Sequence, residues 1–168
     1  MSIMDRLAAL HRLDEEGWAR HANPWSVWTR IPILPAVTLV LWFAPAMGWW
    51  TLLPLGLIAF WTAINPRAFG PPESTRSWPA RGVMGERVWL ARAERPIPPH
   101  HERMAQLLVW VAAAGLLFLV WGLWTHAGGL TLFGLALAFG GKMWFIDRMV
   151  WLYDDMARED PIYAAWMR

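Results

Sequence analysis

Two long stretches of the chain, residues 31–66 and 104–141, carry no charged side chain at all. As one straight helix at ~1.5 Å of rise per residue, either would reach roughly 55 Å, nearly twice the ~30 Å hydrocarbon core of a bilayer. Each is therefore expected to fold back on itself. Turn chemistry sits in the middle of both: Pro45-Ala46-Met47-Gly48 in the first and His126-Ala127-Gly128-Gly129 in the second. The pattern predicts an all-α polytopic membrane protein with four transmembrane helices as two helical hairpins. The spans run from about Ile31 to Ala46, Trp49 to Asn65, Met104 to Thr125, and Leu130 past Ile146. The first two are short, so a re-entrant first hairpin stays open as an alternative.

Outside these stretches the periodicity changes. Ile3, Leu7, Leu10 and Trp18 fall on one helical face against Arg6, Arg12, Glu15 and Glu16, with Ser2 and Asp5 placed as a capping box. Residues 1–22 are thus expected to form an amphipathic interfacial helix. Asn23 as N-cap and Pro24 at the first helical position open the segment that leads into the first hairpin, residues 23–66. A Pro- and Arg-rich loop follows over 67–103, in which residues 85–94 are expected to form a short helix lying on the membrane surface. The second hairpin covers 104–148. Its last helix runs on without a breaker into a charged extension, 149–168. Gly56, Ala59 and Ala63 in the second span, and Gly134, Ala138 and Gly141 in the fourth, mark expected lines of close helix packing.

Composition sharpens this reading. The chain of 168 residues is 57% hydrophobic and 17% charged, with fifteen Trp, too apolar for an ordinary soluble domain. Its fifteen Lys and Arg all lie in the N-terminal segment, the central loop or beyond Gly141. The positive-inside rule then predicts a multi-pass protein of the inner (plasma) membrane with N and C termini cytoplasmic. The thirteen acids lie on that same side. A net charge of +2 suits the lipid bilayer and anionic lipid headgroups, not nucleic acid. Without Cys, disulfides, thiolate catalysis and Cys-ligated metal centres are excluded. No apolar signal region precedes residue 31, so the first hairpin is expected to direct insertion.

Several runs stand out from this background: Asn23-Pro24-Trp25-Ser26 with Trp28-Thr29-Arg30, Asn65-Pro66-Arg67, Gly85-Glu86-Arg87 with Trp89, and Lys142 to Met156. Together they resemble a family of small, uncharacterised prokaryotic membrane proteins over nearly the whole length. The resemblance implies a four-span protein with these residues on one face. As the family is a domain of unknown function, it implies no activity.

Candidate chemistry gathers at the charged end. Lys142 lies roughly 7 Å inside the boundary marked by Asp147 and needs either to snorkel or to meet a partner. Asp147 is ~140° away around the same helix, so simple snorkelling is the expectation, and if Lys142 pairs instead its partner is Glu86, Glu102 or a bound anion. Arg30, Arg67, Arg87, Lys142 and Arg148 are the candidate anion- and lipid-binding residues. Asp154 and Arg158 are expected to pair at i,i+4. His100 and His101 could join Asp147 or Glu86 around a metal. Neighbours on a helix point ~100° apart, however, and no HxxxH spacing is present, so interfacial histidines with no metal and no cofactor are expected. The leading functional reading is a non-enzymatic structural or accessory component that binds a membrane protein partner or anionic lipid at its cytoplasmic face. The alternative is a membrane enzyme acting on a phosphorylated or acidic lipid, with Asp147, Glu86 or His101 as the catalytic candidates. A small transporter or channel is a third reading, for which only Thr38, Thr62 and Gln106 supply mid-span polarity.

Overall fold

The computed structural model describes residues 15–167. Every regular element among them is helical. In chain order these are α1 (Glu15–His21), α2 (Pro24–Arg30), α3 (Ile33–Met47), a 3₁₀ turn (Gly48–Thr51), α4 (Leu52–Ala68), α5 (Trp78–Leu90), α6 (Pro99–Trp124), α7 (Gly128–Glu159) and α8 (Pro161–Ala164). The capping box at Ser2 and Asp5 and the face formed by Ile3, Leu7 and Leu10 lie outside the described residues. Of the amphipathic segment only α1 is described, and its Trp18 packs against the core.

Three helical stretches are long and apolar enough to cross a membrane: residues 24–68, 99–124 and 128–159. The first is interrupted where expected. Gly48 takes φ 55°, a left-handed conformation that a Cβ would disfavour, and it separates α3 from α4. The second turn also falls at its expected place, with His126 at φ 53° and α7 starting at Gly128. The His126 ring stacks on Trp42 of α3 at 4.0 Å and 13°, joining the two turn regions. The uninterrupted passage from apolar to charged sequence is one helix, α7, of 32 residues, roughly 48 Å long.

α6 and α7 form the most extensive helix pair. Gly134, Ala138 and Gly141 face α6, whose Gly115 lies against Ala138 and whose Ala112 lies against Gly141. The corresponding stripe on α4 does not behave this way. Gly56 has nothing within contact distance, and Ala59 and Ala63 are exposed. Leu52, Leu53, Leu57 and Phe60 point outward beside them, each more than 60% exposed. Small residues permit close packing but do not choose the partner, and among the described residues α4 has none along this side.

The central loop departs furthest from expectation. Its helix begins at Trp78 rather than residue 85, because Ser77 caps it and Pro79 sits in the first turn, where its missing N–H is not needed. This helix, α5, packs closely on another helix. It runs antiparallel along α7, with Ala80, Gly82, Val83, Met84, Gly85 and Val88 buried. At Gly85 a Cβ would overlap the Met149 carbonyl, so only glycine allows the backbones to meet. The main apolar core therefore lies at the charged end, where Val83, Met84 and Val88 meet Phe145, Met149, Leu152 and Tyr153.

Candidate functional site: a charged cleft

The NPWSxWTR run owes its spacing to a hydrogen-bonded corner. The Asn23 side chain caps α2 by accepting from the Trp25 N–H, and its amide donates to the Gly70 carbonyl at 2.9 Å. Ser26 Oγ donates to Asn65 Oδ1 at 2.8 Å, and Asn65 Nδ2 donates to Thr29 Oγ1 at 2.8 Å. Asn65 and Ser26 are both completely buried. The corner ties the start of α2 to the end of α4 and sets the direction of Arg30. That guanidinium donates through Nε to the Ser26 carbonyl at 2.9 Å and through Nη1 to His21 Nε2 at 2.7 Å.

Arg30 lines a cleft of about 310 Å³ whose walls come from α2, α3, α5 and α7. Glu86 of α5 and Lys142 of α7 line it too, and Lys142 Nζ donates to Glu86 Oε1 at 2.7 Å. The remaining lining is apolar, including Val27, Leu34, Val83, Phe139 and Met143. Burial first, then the neighbouring Arg30 and Lys142, hold His21 far below the usual imidazole range, at about 4, against an opposing pull from Glu86. His21 is therefore neutral near pH 7 and accepts from Arg30. The group carries two cations and one carboxylate, a net charge of +1.

A second cleft, of about 340 Å³, lies further along α3 and α7. Where the first ends on Leu34 and Phe139, the second begins on Pro35 and Leu135 and reaches Trp42 and Gly128. It has almost no polar lining. From Lys142 to Gly128 the two clefts together span roughly 21 Å of α7, longer than the ~15 Å of hydrocarbon in one leaflet.

The structure separates the other sequence candidates. Asp147 accepts from Trp78 Nε1 at 3.0 Å, and His101 Nε2 lies 2.9 Å from Asp155 Oδ2. Asp147, Glu86 and His101 thus have three different partners and form no shared acid/base pair. Lys142 meets Glu86, one of its expected partners, while Glu102 lies 3.8 Å from Arg92. Of the five cations proposed for anion binding, only Arg30 and Lys142 reach the cleft. Arg87 lies over the Trp166 ring at 3.9 Å, Arg148 stacks on Trp151 at 4.8 Å, and Arg67 is exposed in the last turn of α4. The expected Asp154–Arg158 pair is replaced. Asp154 turns toward α5 and binds Arg81 at 2.7 Å, leaving Arg158 to Asp155 at 3.0 Å. His21 went unnoticed in the sequence, since nothing in its spacing from Arg30 signals a contact across the break at Asn23.

A family model described as a family of unknown function, DUF6653, matches residues 2–167. The chain belongs to that family. No curated protein and no solved structure matches it. Membership of DUF6653 therefore brings no activity with it, and the residues of the cleft have to be read for themselves.

Proposed function

We propose that this DUF6653 protein is a non-enzymatic integral membrane component whose cleft holds an anionic amphiphile, with the headgroup at Arg30, Glu86 and Lys142 and the chain along the α3–α7 groove. The observation that carries this reading is a net-positive group in a mostly apolar cleft, with a second apolar cleft in line with it along α3 and α7. Two cations against one carboxylate leave a single positive charge, suited to a monoanionic headgroup such as a phosphodiester. The separate pairing of Asp147, Glu86 and His101 weighs against the enzyme reading. Thr38 and Thr62 hydrogen-bond carbonyls of their own helices, at 2.8 and 2.7 Å, which weighs against a polar conduction path.

In this reading residues 24–68 make two spans, turning at Gly48, with α6 and α7 as the other two. The hydrogen bonds that Asn65 accepts from Ser26 and donates to Thr29 favour that return. The distribution of Lys and Arg favours an inner-membrane protein with both termini and the cleft's charged end at the cytoplasmic side.

The test is native mass spectrometry of the protein released gently from its own membrane, comparing wild type with Lys142→Gln and Arg67→Gln. Wild type and Arg67→Gln are expected to carry one anionic lipid-like molecule each, and Lys142→Gln to lose it. Equal occupancy in all three would overturn the reading.

A further inference from the structure

His100 and His101 occupy the first turn of α6, and Asp155 lies four residues before the end of α7. In a helix interior two adjacent histidines diverge by ~100°. In the first turn no preceding turn restricts the rotamers, and here the two rings approach to 4.2 Å between centroids. One donor atom from each of His100, His101 and Asp155 lies within 4.8 Å of the others. His101 is only 5% exposed, which holds its ring in place. Arg158 binds Asp155 through Oδ1 at 3.0 Å, leaving Oδ2 directed at His101.

We propose that His100, His101 and Asp155 bind one divalent transition-metal ion of the zinc class, joining the start of α6 to the charged end of α7. Two imidazole nitrogens and a carboxylate oxygen are a donor set that Zn²⁺ takes with bonds of ~2.0–2.2 Å. Donors around a tetrahedral ion of that size stand ~3.3 Å apart. Rotation of the exposed His100 ring closes most of the gap, because His101 and Asp155 already stand 2.9 Å apart. Arg158 acts as an outer partner that orients the carboxylate, as hydrogen-bonded ligands commonly require. Its positive charge also weakens the site. Three protein ligands leave the fourth position to water.

The experiment uses the full chain in detergent, without a polyhistidine tag, freed of metal with a chelator and titrated with zinc chloride by calorimetry. Cobalt(II) chloride is the spectroscopic probe. One Zn²⁺ per chain is expected, with visible absorption from a tetrahedral cobalt complex. His100→Ala, at an exposed position, is expected to weaken binding at least about tenfold and remove the absorption. Absence of saturable binding, or binding that His100→Ala leaves unchanged, would overturn the proposal. Because His100 lies outside the cleft, that result leaves the amphiphile reading untouched, and lipid occupancy after His100→Ala separates the two.

Discussion

Gly85→Ala adds one methyl group where α5 touches α7, and the structure dictates its consequence. The new carbon would overlap the Met149 carbonyl, whereas unbonded carbon atoms settle near ~3.5 Å. Neither backbone can rotate away as a flexible side chain would, so α5 must lift from α7. Lifting it loosens Val83, Met84 and Val88 against Phe145 and Met149. It also stretches Trp78–Asp147, Arg81–Asp154 and Glu86–Lys142, which stand at 3.0, 2.7 and 2.7 Å. Overpacking of a tight core costs about 1–3 kcal/mol, and a backbone obstacle belongs at the upper end. Ala is a better helix former than Gly by ~1 kcal/mol, which offsets only part of this. The net expectation is a loss of about 2 kcal/mol, or a fall in Tm of roughly 4–8 °C for a chain of this size. Gly56→Ala is the control, since Gly56 lies inside α4 with open space around it. It should keep or raise Tm. Thermal melts in detergent followed by tryptophan fluorescence measure both. If Gly85→Ala melts at or above wild type, α5 is not packed on α7 as described.

Two further perturbations address the corner that sets the cleft. His21 holds a pKa of about 4 in the folded protein against 6.5 in a free chain, so the unfolded chain binds the proton first. Stability should therefore be constant above pH ~6.5 and fall by about 3 kcal/mol as pH drops toward 4; denaturant melts across that window should show it for wild type and a flatter profile for His21→Gln. Asn65→Ala strips the buried Ser26 hydroxyl of its acceptor and should destabilise by about 1–3 kcal/mol, while Asn65→Gln should not restore the loss, because its longer side chain cannot occupy the same sealed corner. A wild-type melting profile for Asn65→Ala would show that the corner contributes nothing.

The helical character, the apolar stretches and their turns could be read from the chain, because each is a local property. Charge-free runs longer than a bilayer must break, and Gly48 and His126 lie at the breaks. The seamless run of α7 from apolar to charged residues was legible for the same reason, as no residue in it stops a helix. The depth of Lys142 left it either to snorkel or to meet a partner, and the structure decided for Glu86, one of the acids within reach.

What the tertiary structure alone decided is which faces meet. Periodicity says that Gly82 and Gly85 share a side of α5, but not that α7 is what they approach. A proline-rich connection thus became a core helix only when α7 supplied a surface to bury it against. Small residues on α4 and on α7 look alike in the sequence, yet among the described residues only those of α7 have a close neighbour. The pairing of charges followed the same logic: Asp154 turned to Arg81 instead of Arg158, and Arg30 found His21 across a helix break, because pairing depends on distances between elements that no spacing along the chain encodes. His100 and His101 came together for a related reason, since the start of a helix permits rotamers that its interior forbids.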